Sequence, residues 1–179
     1  MYQYTASDDC TRIRVLAIYS RRSAANSLLF LERAIEEFPF AIQRIQTDRG
    51  REFFAYAFQE RLMEYAIKFR PIRTASPHLN GKVERSQRTD LDEFYRTADL
   101  KSPGLAQRLD EWQDHYNQFR IYGSLNGRTP REAWLERLSL MPFRDEVESL
   151  YKHSAERIRH PHYQTDLLLA KQSEAMHSP

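Results

Sequence analysis

Cysteine is all but missing: Cys10 stands alone in 179 residues, so neither an internal disulfide nor a cysteine-built zinc site can form within the chain. Long apolar runs are missing too. None approaches the roughly 18 residues of a membrane span, and no signal-peptide pattern opens the sequence. No internal repeat or low-complexity tract occurs. Together these absences set the expectation of a cytoplasmic protein without a membrane partner. A local scarcity is more informative. From Lys68 to Arg88 there are six Lys and Arg but a single acid, Glu84. One carboxylate among so many cations is not needed for solubility, and it suggests a site that holds cations and polyanions together.

What is present is enough for a genuine core. With 41% apolar and 12% aromatic residues, the length favours one domain with an appendage. Net charge is only +2, but 22 of the 27 basic residues are Arg, whose planar fork suits phosphate. That tilts the reading toward nucleic acid, against a background in which mixed surface charge is ordinary.

Taken in order, residues 2–6 and 13–19 are β-prone, and Ser7-Asp8-Asp9-Cys10 between them has turn chemistry, so they read as a hairpin. Ala24, Leu28, Leu31, Ile35 and Phe38 step by four and three, predicting an amphipathic helix capped by Ser23 and ended by Pro39. Residues 40–46 read as a strand leading into Asp48. Phe54, Phe58, Leu62 and Tyr65 mark a second helix, and residues 67–72 a brief strand. This alternation argues for a mixed or parallel sheet with helices packed on it. Asn80 can cap a third helix with the stripe Val83, Gln87, Leu91 and Phe94, which puts Glu84 and Arg88 together at its edge. Ser102-Pro103 opens a fourth helix with the stripe Leu105, Leu109, Trp112, Tyr116 and Phe119. Thr129-Pro130-Arg131-Glu132 is a capping box starting a fifth helix that runs to about Leu140. One more helix is expected around Val147, Leu150, Tyr151 and Ile158, with a loosely ordered tail after it.

Two acids invite a chemical reading. Asp48 at the carboxyl end of a strand points into the crevice where open α/β sheets bind ligands, and Glu84 on a neighbouring helix could close on the same divalent ion. Mg²⁺ prefers oxygen ligands and takes one or two carboxylates plus substrate phosphates. Two-metal sites clamp the attacking and leaving oxygens of a displacement at phosphorus, and such sites usually want three acids. Singly, each residue has a plainer reading. Asp48-Arg49-Gly50 is a turn signal, Glu84 suits the first turn of any helix, and Arg88 pairs with Glu84 at i,i+4. His160 and His162 read as surface residues.

Three stretches carry a resemblance: Thr47-Asp48-Arg49-Gly50-Arg51-Glu52-Phe53, then Pro77-His78-Leu79-Asn80-Gly81-Lys82-Val83-Glu84-Arg85, then Tyr116-Asn117 with Arg120 and the run Ser124 to Pro130. In order and spacing they resemble the catalytic core of DDE integrases and transposases, closest to the bacterial insertion-sequence branch related to retroviral integrase. The resemblance implies an α/β, ribonuclease-H-like mixed sheet with helices on both faces, plus C-terminal helices. It also implies cleavage and joining of DNA with Mg²⁺ or Mn²⁺ held by three acids. Asp48 would be the second acid and Glu84 the third, both as catalytic metal ligands. DNA phosphates would be met by Lys82, Arg85 and Arg88 with His78 nearby. Arg49 and Leu91 depart from the family, which more often has Asn and a basic residue there. A homo-oligomer assembled on DNA ends, and a bacterial protein associated with the nucleoid, are further implications.

By the same resemblance residues 2–12 match the family's second strand and its turn, so the first strand, which carries the first acid, is expected to be absent and the core to be truncated. Asp8 or Asp9 is the alternative acid, poorly placed in a turn. Residues 1–100 would be the incomplete catalytic core, 101–140 its helical C-terminal part and 141–179 a tail. Strand transfer is the leading expectation, with activity of this chain alone open. The alternatives are a DNA-binding or inhibitory remnant, or a related nuclease.

Overall fold

The computed structural model of the chain describes residues 1–72 and 81–161. β1 (Tyr2–Ser7) and β2 (Arg14–Tyr19) form the expected antiparallel hairpin, in register from Tyr2 opposite Tyr19 to Ser7 opposite Arg14. Asp8 closes its turn. The Asp8 Oδ2 accepts the Thr11 N–H at 2.6 Å, the Thr11 hydroxyl at 2.7 Å and the Cys10 N–H at 3.2 Å. This is a side chain standing in for a backbone turn, and it commits Asp8 to its own loop.

Arg14, Val15, Leu16 and Ala17 are all buried, where a half-exposed strand would alternate. The reason is that the hairpin is covered on both faces. Tyr4, Val15 and Ala17 pack against Phe30 of α1 (Ala24–Glu37), while Leu16 packs against Phe94, Leu105 and Leu109 on the other side. α1 begins where its cap predicts, with the Ser23 side chain accepting the Asn26 N–H at 3.2 Å.

A second sheet pairs β3 (Arg44–Ile45) with β4 (Lys68–Phe69) in parallel. Both are shorter than the expected strands 40–46 and 67–72. Parallel bonding nevertheless continues past the ladder, from Lys68 N to Gln43 O (3.0 Å), Arg70 N to Ile45 O (2.9 Å) and Ile72 N to Thr47 O (2.9 Å). A 3-10 turn over Arg51–Phe54 and α2 (Tyr56–Glu64) connect the two strands. Leu31 of α1 joins Phe54, Phe58, Leu62, Ile67 and Phe69 in the core beneath them. Among the described residues the two sheets are separate. The mixed sheet expected from the sequence is therefore present as two halves, with α1 packed on β2 and sharing through Leu31 the core that holds Phe69 of β4, and the Tyr4 and Phe53 rings meeting between the halves at 6.4 Å.

α3 (Gly81–Thr89) continues into a π-helical turn over Asp90–Tyr95. Its buried face keeps Phe94 of the predicted stripe but is otherwise turned from it. Ser86, Asp90 and Phe94 are buried, whereas Gln87 is exposed and Leu91 is 62% exposed. α4 (Leu105–Phe119) buries Leu105, Leu109 and Tyr116 of its predicted stripe and packs Trp112 against the same core, but it also buries Gln113 and leaves Phe119 66% exposed. Gln113 and Asn117 face the hairpin because β2 has an open outer edge. Gln113 Oε1 accepts the Leu16 N–H at 2.5 Å, and Asn117 exchanges two bonds with the Arg14 backbone at 3.0 and 2.9 Å. Amide side chains thus take the place of a third strand and satisfy backbone groups that burial would otherwise leave unpaired.

α5 (Pro130–Arg137) starts at the predicted capping box and gives way to a 3-10 turn over Leu138–Leu140. After α6 (Arg144–Ser149) the chain returns to the core. Tyr151 is buried, Glu156 pairs with Arg70, and Gln59 bonds both backbone groups of Arg159. Among the described residues no helix is long and apolar enough to cross a membrane.

Candidate active site

Asp48 lies three residues past the end of β3 (Arg44–Ile45). The Thr47 carbonyl accepts from Ile72, which fixes the strand end, and the Gly50 N–H donates to Asp48 Oδ1 at 3.0 Å. The Asp-x-Gly turn read from the sequence is real, and it holds an exposed carboxylate at the carboxyl end of the strand. The neighbouring Arg49 lies back over the Phe54 ring, its guanidinium 5.5 Å from the centroid.

Glu84 stands exposed in the first turn of α3, where the helix dipole favours a carboxylate. Arg85 and Arg88 are exposed on the same helix, and Arg88 Nε lies 3.7 Å from Asp92. Lys82 falls in that first turn as well, and His78 and the expected cap Asn80 lie outside the described residues. α3 packs on β1. Asp48 therefore belongs to one half-sheet and Glu84 to a helix seated on the other. Both acids offer hard oxygen donors of the kind that Mg²⁺ and Mn²⁺ accept. Among the described residues no group of three or more His, Cys, Asp or Glu is gathered to hold a metal.

Behind Glu84 lies a polar cluster that apolar periodicity does not reveal. Asp90, 1% exposed, receives Arg14 Nη1 at 2.7 Å, Trp112 Nε1 at 2.8 Å and Gln3 Nε2 at 2.7 Å. Arg14 also donates to the Ser86 hydroxyl at 3.0 Å and lies over the Tyr116 ring. Burial pushes its guanidinium pKa down, against the pull of Asp90. The signal visible in the sequence is an Arg at the head of an apolar strand, Arg14 opening β2.

Two sequence models, each described as an integrase core domain, match residues 1–77 and residues 65–130. A viral relative, the ORF3 protein of Spiroplasma virus SpV1-C74, which carries a provisional assignment as an integrase, is 29% identical over 157 residues. That match takes in 78% of this chain and 43% of the relative, so the chain spans less than half of the relative's length. In fold, the chain is similar to the catalytic core domain of BIV integrase, with a TM-score of 0.62 and 18% identity over 77% of this chain and 88% of that one. It is also similar to the HTLV-2 integrase catalytic core solved with magnesium, at a TM-score of 0.60 and 19% identity over 73% and 82% of the two chains. Between them the two integrase core domain models run from residue 1 to residue 130, so over that stretch the chain is similar in sequence to integrase cores, and its α/β fold is similar to those of the BIV and HTLV-2 catalytic cores.

Proposed function

We propose that this core serves metal-dependent DNA cleavage and strand transfer, with Asp48 and Glu84 as its second and third acids. The observation that carries the reading is their placement: one exposed carboxylate closes β3, and the other opens a helix packed on β1. A strand bearing the first acid would pair with both half-sheets, which share no ladder among the described residues. A bound Mg²⁺ or Mn²⁺ would supply Lewis-acid stabilisation to oxygens on phosphorus. The chain's own part is to hold the two carboxylates and to seat the backbone. Arg85 and Arg88 present exposed charge on α3, and Lys82 and His78 complete the phosphate contacts, which position DNA without reading its sequence.

In this reading residues 1–100 belong to the catalytic core, residues 101–140 are its helical extension and residues 141–179 an appendage. The active species is a homo-oligomer on DNA in the bacterial cytoplasm. A second reading, a DNA-binding remnant without catalysis, draws on the lack of a third acid grouped with these two among the described residues. Translating the DNA ahead of the Met1 codon separates the readings. An in-frame strand with an Asp, which restores Mg²⁺-dependent strand transfer when expressed with this chain, supports the enzyme. A stop codon there, or inactivity of the extended protein, supports the remnant.

A further inference from the structure

We propose that Asp90 and Arg14 are positioning residues that fix the direction in which Glu84 points, an inference that rests on Glu84 being a metal ligand. Asp90 follows Glu84 by six residues, which on a helix is about 9 Å along the axis and roughly 240° around it. The buried face of α3 is thus held at Ser86 and Asp90, while Glu84 projects from the opposite side.

Three separate elements aim donors at the one carboxylate: Gln3 from β1, Arg14 from β2 and Trp112 from α4. Arg14 reaches Ser86 one turn earlier on the same face. Apolar side chains could fill this space but would tolerate small rotations, whereas hydrogen bonds impose angles. Turning α3 by about 20° would carry a side chain at its outer radius of ~6 Å through about 2 Å. Metal coordination tolerates about 0.2 Å.

Stability alone does not explain the cluster. Apolar replacements for buried ion pairs are often as stable or more so, and here two fully buried charges are kept, Asp90 on the helix that presents Glu84 and Arg14 on β2 beside it. The π turn begins at Asp90 itself. Such insertions gather at functional sites because they shift the helical register locally.

The test is a distance measurement by pulsed electron paramagnetic resonance in a Cys10→Ser background, with nitroxides on Gln87→Cys of α3 and Gln43→Cys beside β3, both exposed positions. The unaltered cluster should give one narrow distance. The pair Arg14→Met/Asp90→Leu keeps the volume apolar, and its folded state is checked by circular dichroism. With native helix content, its distances should spread or shift by up to about 5 Å, one helical turn. A distribution as narrow as the unaltered one, in the same place, overturns the proposal. Should that pair fail to fold, Asp90→Asn and Trp112→Phe, which each remove less, decide it by the same readout: broadening supports the role and unchanged distances overturn it. Neither metal nor DNA enters this measurement, so failure of the Asp48–Glu84 metal reading and failure of this one are told apart.

Discussion

Arg70 and Glu156, 86 positions apart in the chain, form a two-pronged ion pair, with Nη1 to Oε2 at 2.7 Å and Nη2 to Oε1 at 2.6 Å. The Glu156 side chain is 5% exposed and that of Arg70 is 37% exposed. Arg70 lies just past β4, on the path toward the helix of Glu84, so the segment after α6 fastens the strand that leads to the candidate site. Forked guanidinium–carboxylate pairs are among the stronger polar contacts, and removing one partner strands the other. We expect Glu156→Ala to cost about 2 kcal/mol, a drop in melting temperature of roughly 4–8 °C for a chain of this size. Thermal denaturation followed by circular dichroism measures it. An unchanged melting temperature would mean that this segment is decorative.

The Thr129 cap yields a smaller effect with a sharper control. Its hydroxyl accepts the Glu132 N–H at 3.2 Å, and Glu132 Oε2 accepts the Thr129 N–H at 2.8 Å. Thr129→Ala should lower stability by about 1 kcal/mol in urea denaturation, while Thr129→Ser, which keeps the acceptor, should not.

Alkaline pH should destabilise the fold in part through Tyr95. Burial, with a further push from Asp90, raises its phenol from 10.0 to about 12. A phenol that holds its proton longer when folded leaves the unfolded chain with fewer bound protons between those two values. Its contribution is therefore complete below about pH 10 and is lost as pH rises toward about 12. Tyr122 and Tyr151 are shifted the same way, chiefly by burial. Tyr95→Phe should therefore flatten the alkaline fall in stability without abolishing it, as unfolding curves at stepped pH will register. An identical fall in the variant would show that Tyr95 is not the group concerned.

Much of this architecture is legible in the residues because it follows from local rules. The hairpin turn at Asp8, the Ser23 cap and the Thr129 box are contacts between near neighbours, and all occur where sequence reasoning puts them. The faces of α3 and α4 are legible only in part, at Phe94, Leu105, Leu109 and Tyr116, for the opposite reason. Apolar spacing selects Gln87, Leu91 and Phe119 as buried, but the space behind these helices is occupied by Arg14 and by the open edge of β2. Polar Asp90, Gln113 and Asn117 therefore turn inward. Those partners are 76 to 103 positions away, beyond the reach of any periodicity. In the candidate site the Asp48 turn and the place of Glu84 at the head of a helix are legible from local sequence, while the cluster that seats the Glu84 helix is visible only in three dimensions.

Phosphate contacts from α3 should show in the salt dependence of DNA binding. Replacing Arg85 by Ala should weaken binding about equally for unrelated duplex sequences and reduce the slope of log affinity against log salt by about one. Titrations at several salt concentrations measure this. An unchanged slope would remove Arg85 from the interface.

Most direct of all is the rate of Mg²⁺-dependent strand transfer, measured on the chain extended by its upstream reading frame, with Asp48→Asn and Glu84→Gln compared against the unaltered protein. Asn retains the oxygen that accepts the Gly50 N–H, and Glu84 is exposed, so neither change should disturb the fold. We expect each to slow transfer by roughly a hundredfold or more while DNA affinity holds. A variant of either acid that joins DNA ends at the unaltered rate would contradict the assignment of these two carboxylates to the metal site.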